Sequence, residues 1–162
     1  MTDNTKATEE LWDILKDSRT CMVTTEDNGV LRARPMAPTL DDETRQIHFL
    51  TKRTAAKVEE LHHERNVCLT FCDNDDITFA SVSGRGTVTT NRELIDKLWS
   101  PMAGMWFDGD KDTADVAVIS VNPEQAEYWT NDDGKIKTAW EFGKGYLTGS
   151  KPDIGENEKV SL

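Results

Sequence analysis

Several hallmarks of membrane and secreted proteins are absent from this sequence. No apolar run approaches the roughly 20 residues needed to cross a bilayer, and the first residues contain no apolar signal-peptide core. The three cysteines among 162 residues are too few, and odd in number, for a disulfide framework. We therefore expect one soluble cytoplasmic protein with reduced thiols and no membrane partner.

Motifs of common hydrolases, metalloenzymes and nucleotide-binding loops are also missing. The chain has no G-x-S-x-G, no H-E-x-x-H and no Walker glycine pattern. Cys68 and Cys72 lie four positions apart in a predicted strand, about 13 Å along one face, too far to share a metal ion. We predict core thiols and no metal site. His48 alternates with apolar neighbours and is interpreted as a structural histidine.

The charge is strongly acidic overall but unevenly distributed. Acidic residues outnumber basic ones 30 to 19, for a net charge of −11. The stretch from Val30 to Lys57 holds six basic and three acidic residues, so it carries +3 and the remainder carries −14. An acidic surface repels long polyanions, and we expect no nucleic-acid partner. The basic island favours a small anionic ligand, and solvated surface cations are the alternative.

Hydrophobic periodicity and turn signals predict alternating hairpins and helices. The predicted helices are Thr5–Asp17, Thr54–Glu64, Asn91–Trp99 and residues 138–147. The predicted strands are Thr20–Thr25, Val30–Leu40, Gln46–Thr51, Asn66–Cys72, Ile77–Thr90, Val116–Val121 and Ala126–Thr130. Pro35 and Pro38 indicate an edge or a break in the second strand, and Gly84 and Gly86 indicate a bulge or a close backbone approach in the fifth. Residues 101–113 and the residues from 148 onward are predicted to be loops. Hairpin succession without βαβ units favours an α+β antiparallel sheet or barrel with peripheral helices.

The most informative stretch runs from Thr51 to Lys57, where a strand ends and a helix begins. Free backbone amides and the helix dipole make such a junction an anion site. The hydroxyls of Thr51 and Thr54 add donors, and Lys57 lies within the first helical turn. Arg32 and Arg34 on a neighbouring strand can approach the same anion. This pattern predicts a phosphate cradle, and a capped surface helix with solvated cations is the alternative.

Trp106 differs from the other tryptophans because it lies in a glycine-containing loop beside Phe107. Most tryptophans of a chain this size belong to the core. An aromatic pair in an irregular loop is instead suited to covering a planar ligand or a subunit interface.

The order of these segments resembles a known family. Four of them resemble the pyridoxamine 5'-phosphate oxidase-like FMN-binding split barrels: Arg32-Ala33-Arg34-Pro35-Met36, Phe49-Leu50-Thr51-Lys52, Lys57 and Val82-Ser83-Gly84-Arg85-Gly86. Others are similar to the general stress protein branch: Leu98-Trp99-Ser100-Pro101, Trp106-Phe107, Ala126-Glu127-Tyr128-Trp129, Leu147-Thr148-Gly149 and Asp153-Ile154-Gly155-Glu156-Asn157. The resemblance spans roughly Glu10 to the C-terminus.

The resemblance implies a six-stranded antiparallel split β-barrel that forms a homodimer with two FMN molecules at its interface. Residues 1–130 would form the FMN-binding barrel, and 131–162 an extension packing on it. Arg34 matches the family arginine near the flavin phosphate, Thr51 the end of the third strand, and Lys57 the phosphate-binding lysine. The further cofactor-binding residues expected are Arg32, Pro35, Met36, Lys52, Arg53, Thr54, Gly84 and Trp106.

Two departures from the vitamin-processing oxidases narrow the expected function. Their Ser-Arg-Lys at the helix start is Ala55-Ala56-Lys57 here, so Lys52 or Arg53 would have to replace the missing arginine. Their C-terminal Arg-x-His substrate motif is absent, because no histidine follows His63. We therefore expect an FMN-binding stress protein with weak flavin oxidoreductase activity rather than a pyridoxamine phosphate oxidase. The alternative is a non-enzymatic module that stores or senses flavin, or another planar cofactor such as haem or a deazaflavin.

Overall fold

A computed structural model describes residues 2–130 and 156–162, which form one antiparallel sheet with four helices. The helices are α1 (Thr2–Asp17), α2 (Ala56–His63), α3 (Arg92–Leu98) and α4 (Pro101–Gly104). The strands are β1 (Cys21–Asp27), β2 (Val30–Met36), β3 (Thr39–Leu40), β4 (Ile47–Lys52), β5 (Asn66–Asp73), β6 (Thr78–Thr89), β7 (Val116–Thr130) and β8 (Glu156–Ser161). Their order is β2-β1-β5-β6-β7-β4-β3, and β8 pairs with β7. No helix in these two ranges is long and apolar enough to cross a membrane.

The main core lies between the sheet and α1. Leu11 and Leu15 of α1 are fully buried with Phe49 and Phe71 of the sheet. Each such side chain contributes about 1.5–3 kcal/mol when it is removed from water. The inward face of β1 repeats at every second residue, which is the strand period, and it ends on the buried hydroxyl of Thr25.

The predicted α+β antiparallel class is confirmed, but the expected six strands are wrong, since the described residues form eight. The chain leaves the sheet at Ala37 and Pro38, because proline cannot donate to a ladder, so β3 is separate from β2. The loop predicted after residue 148 contains β8, which pairs with β7 over its whole length. The predicted helix over 138–147 lies outside the described residues.

The predicted N-terminal capping of the helices is correct for α3 but not for α2. Asn91, the first residue of the predicted helix Asn91–Trp99, is the N-cap of α3, and its Oδ1 accepts a hydrogen bond of 3.0 Å from the amide of Leu94. Thr54, where the second helix is predicted to begin and would be its N-cap, is not the cap of α2, because the N-cap position is Ala55 and no side chain caps this helix. The predicted irregular loop after Ser100 begins with the short helix α4.

The bulge predicted at Gly84 is confirmed. The β6–β7 register shifts between Ser83 and Gly84, where the strand crosses close to the β7 backbone. A Cβ on Gly84 would lie 2.2 Å from the carbonyl oxygen of Asn122. Glycine is therefore required here by the packing of two strands.

The cysteines are only partly core residues. Cys21 is buried, and its burial raises the pKa of the thiol to about 12. Cys68 is half-buried, whereas Cys72 is exposed. The prediction of a core thiol is therefore wrong for Cys72, because the outer face of β5 is open at its end.

His48 of β4 is buried. Its Nδ1 lies 2.8 Å from the hydroxyl of Ser120 on β7. Its Nε2 is 3.9 Å from Asp41 Oδ2, too far for a hydrogen bond. The same carboxylate oxygen accepts a 2.9 Å hydrogen bond from Lys97. Burial is the main cause that lowers the pKa of His48, and the Asp41 carboxylate opposes it.

We expect this histidine to make stability depend on pH. The unfolded chain binds a proton near pH 6.5, above the lowered pKa of folded His48. The free energy of unfolding should be steady above about pH 7 and fall as the pH drops through 6.5, by at most about 1.4 kcal/mol per pH unit. Asp41 stays ionised in this window, because the hydrogen bond from Lys97 lowers its pKa to about 2.

Urea denaturation of the wild type and of His48→Gln, at pH 7.5 and 5.5, measures this effect. The variant should be less stable at pH 7.5 but less sensitive to pH. His62→Gln removes an exposed histidine and is the matched control. An equal loss of stability at pH 5.5 in the wild type and His48→Gln would show that His48 is not the group responsible.

Candidate functional site

The junction between β4 and α2 offers backbone donors to an anion. Thr51 is buried in β4, where it pairs with Ala117 of β7. Three residues separate β4 from α2, which begins at Ala56 without a side-chain cap. The amide of Val58 donates to the carbonyl of Ala55 at 2.9 Å. The amides of Ala56 and Lys57 have no partner among the described residues, and the helix dipole adds partial positive charge there. This end of α2 therefore favours negative charge.

Lys57 lies in the first turn of α2 and is half-buried. Among the described residues, its ammonium makes no hydrogen bond and no ion pair. Burial lowers the pKa of Lys57, Arg34 lowers it further, and Glu60 raises it. A desolvated cation beside another cation is stabilised by an added anion.

Arg34 is fixed at this site by a closed set of hydrogen bonds. Its Nη2 donates to Glu60 Oε2 at 2.7 Å, and its Nη1 donates to the Thr25 hydroxyl. That hydroxyl in turn donates to the same Glu60 oxygen. Thr25 and Glu60 are both buried, so the junction of β1, β2 and α2 holds a preorganised polar network.

Arg32 completes the cluster from the next inward position of β2. The β1–β2 register places Arg32 opposite Thr25 and Arg34 opposite Val23, so both arginines share the inward face. Arg32 Nη1 is 3.5 Å from Glu60 Oε1 and 3.4 Å from Asp27 Oδ2. Three cations, Arg32, Arg34 and Lys57, thus lie around one buried carboxylate. We call these four residues the basic cluster.

Lys52 and Arg53 are directed away from the basic cluster. Lys52 Nζ is 3.7 Å from Asp108, and Arg53 Nε is 2.8 Å from Asp115. Arg53 also lines a separate cavity of about 480 Å³ with Arg92. Both side chains are exposed. Because each already pairs with a carboxylate, neither is placed to replace the arginine that the vitamin-processing oxidases have at the start of this helix.

The other expected site residues are spread around the sheet. Thr54 is exposed just before α2, and Pro35 is exposed on β2. Met36 packs on the main core. Gly84 lies at the β6 bulge described above. The side chain of Trp106 follows α4 and is 78% exposed, so no described contact joins it to the basic cluster.

Thr25 and Glu60 were missed by the sequence analysis. Thr25 continues the inward alternation of Cys21 and Val23, and a polar residue on such a face signals a buried partner. Glu60 lies three residues after Lys57, which places both on one face of α2. The three-residue spacing from Lys57 was therefore the sequence signal that could have placed Glu60 at this site.

The fold and the basic cluster define a class of protein: an α+β antiparallel fold with three cations around a buried carboxylate between its second strand and second helix. The family model described as "Pyridoxamine 5'-phosphate oxidase like" matches residues 6–153. The chain belongs to this family.

Its relatives include general stress proteins. General stress protein 26 of Bacillus subtilis is 27% identical over 119 residues, which are 72% of this chain and 83% of that protein. A crystal structure described as a general stress protein 26 from Jannaschia sp. CCS1 is 29% identical, with a TM-score of 0.77 over 98% of this chain and 99% of the other. The general stress FMN/FAD binding protein of Xanthomonas citri is 29% identical, with a TM-score of 0.67 over 78% and 89%.

Proposed function

We propose that this protein binds FMN and holds its phosphate with Lys57, Arg34 and Arg32 at the start of α2. The observation that carries this proposal is Lys57, a half-buried ammonium that lacks a partner among the described residues. The similarity to a protein described as FMN/FAD binding supports it.

The charge of the basic cluster suits this ligand. Three cations and the Glu60 carboxylate leave a formal charge of two positive units. A phosphate monoester carries about −1.5 to −2 near pH 7. The amides of Ala56 and Lys57 add two donors that match phosphate oxygens. A flavin without phosphate would leave these groups unused.

We infer that FMN, when bound, supplies redox chemistry and that the chain supplies binding and orientation. The proposed activity is weak flavin-dependent oxidoreduction in a stress-associated protein, within a compartment that keeps its three free thiols reduced. The alternative is binding without catalysis. Oxidation of NADH by the FMN-loaded protein, compared with free FMN, separates them: a rate above free flavin favours the enzyme.

Titration with FMN tests the binding proposal. Flavin fluorescence should be quenched and the unfolding temperature should rise at excess FMN. Absence of both effects would overturn the proposal. The absorbance spectrum of freshly purified protein tests the other cofactors, because a haem Soret band or a deazaflavin spectrum in place of the flavin doublet would favour them.

A homodimer is part of this proposal. Leu31 of β2 is 74% exposed, and Met105 and Trp106 near α4 are also exposed. We infer that a two-fold interface buries these apolar side chains. We expect light scattering at micromolar concentration to give twice the mass of the 18.2 kDa chain. A mass of one chain would contradict the dimer.

A further inference from the structure

The basic cluster contains its own anion. The Glu60 side chain is only 4% exposed, and its Oε2 accepts hydrogen bonds from Arg34 and Thr25. Its Oε1 accepts no hydrogen bond from the described residues and lies 3.5 Å from Arg32 Nη1. The Glu60 carboxylate therefore occupies the position in which an external anion would bind both Arg32 and Arg34.

We propose that Glu60 is an intramolecular counter-ion that occupies Arg34 and thereby limits how tightly the basic cluster holds an anionic ligand. This inference rests on the proposed function, because the ligand is taken to be the phosphate of FMN. Glu60 would then determine affinity and selectivity for the phosphate rather than contact the flavin.

The physical basis is the competition between two anions for the same cations. Glu60 cannot swing into solvent, since its helix is packed on β1 and its carboxylate is bonded to the buried Thr25. A phosphate that approaches Arg34 must share this guanidinium with a fixed negative charge. Like charges placed close together in a partly desolvated site weaken binding strongly. The carboxylate also keeps three cations together when no ligand is bound.

Glu60→Gln tests the proposal, because the amide keeps the size of the side chain and an oxygen that can accept from Arg34. FMN should bind at least about 10-fold more tightly to this variant, since one like charge near the phosphate is lost. Riboflavin, which has no phosphate, should bind as in the wild type. FMN affinity that is unchanged or weaker in Glu60→Gln would overturn the proposal.

Glu59→Gln is the matched control. It removes the same charge one residue earlier on α2, where the side chain is exposed and lies 3.5 Å from His63. Solvent screens this charge, so FMN affinity should change less than about twofold. Equal tightening in both glutamine variants would attribute the effect to net charge and overturn the role of Glu60.

A second measurement applies to the wild type if Glu60→Gln does not fold. The side-chain NMR signal of Arg34, assigned by its loss in Arg34→Lys, should shift on addition of FMN but not of riboflavin. An unmoved signal at saturating FMN would show that Arg34 keeps Glu60 as its partner throughout, against the proposal. If the wild type binds no FMN at all, the proposed function fails. If it binds FMN but the Arg34 signal does not move, FMN binding stands, and both the counter-ion role of Glu60 and the contact of Arg34 with the phosphate are withdrawn.

Discussion

Replacement of Lys57 by alanine is expected to weaken FMN binding about 10- to 150-fold. The lost contact is a charge-assisted hydrogen bond worth about 1.5–3 kcal/mol, and 1.4 kcal/mol is a factor of ten in affinity. Riboflavin lacks the phosphate, so its affinity should hardly change. Fluorescence titration of both ligands against the wild type and Lys57→Ala measures the difference.

The fold should tolerate this substitution. Alanine is a good helix former. The ammonium of Lys57 makes no hydrogen bond to the described residues, so its removal leaves none of them without a partner. Lys16→Ala is the matched control. Lys16 lies on α1, where it pairs with Asp42 and has no described contact with the basic cluster, so its loss should leave FMN affinity unchanged. Equal losses for FMN and riboflavin in Lys57→Ala would show that Lys57 does not bind the phosphate.

Local signals explain why most of the sheet was predictable. The Asn28–Gly29 turn takes positive φ at both residues, which is the conformation that Asn-Gly hairpin turns require. This turn fixes the β1–β2 pairing, and with it the shared inward face of Arg32 and Arg34. The strand β8 gave no such signal, because Val160 is its only buried residue among 157–162 and its pairing with β7 is long-range.

Of the four residues in the basic cluster, the sequence predicted the three cations but not Glu60. Lys57 and the two arginines stand out by charge and by their place at element ends. Glu60 reads as an ordinary helix-face carboxylate until α2 packs on β1 and buries it. The pairing of Arg53 with Asp115 was equally hidden, because tertiary structure joins residues far apart in sequence.

Replacement of Gly84 by alanine is expected to destabilise the fold by about 3 kcal/mol, near the upper end of the usual cost of overpacking. The new methyl group would lie 2.2 Å from the carbonyl oxygen of Asn122, and backbone on both sides prevents an easy shift. For a domain of this size the unfolding temperature should fall by about 6–12 °C. Thermal unfolding followed by circular dichroism measures it.

Gly86→Ala is the control, since Gly86 lies two residues further along the same strand and is also buried. A methyl group there would meet Leu61 Cδ2 at 3.0 Å and Val67 Cγ1 at 3.2 Å. Both neighbours are side-chain ends rather than backbone and can shift, so the cost should be about 1 kcal/mol. The comparison also tests the expected contact of Gly84 with the cofactor. If Gly84→Ala unfolds like the wild type but loses FMN, the glycine serves the ligand; a large loss of stability shows instead that the β6–β7 crossing requires it.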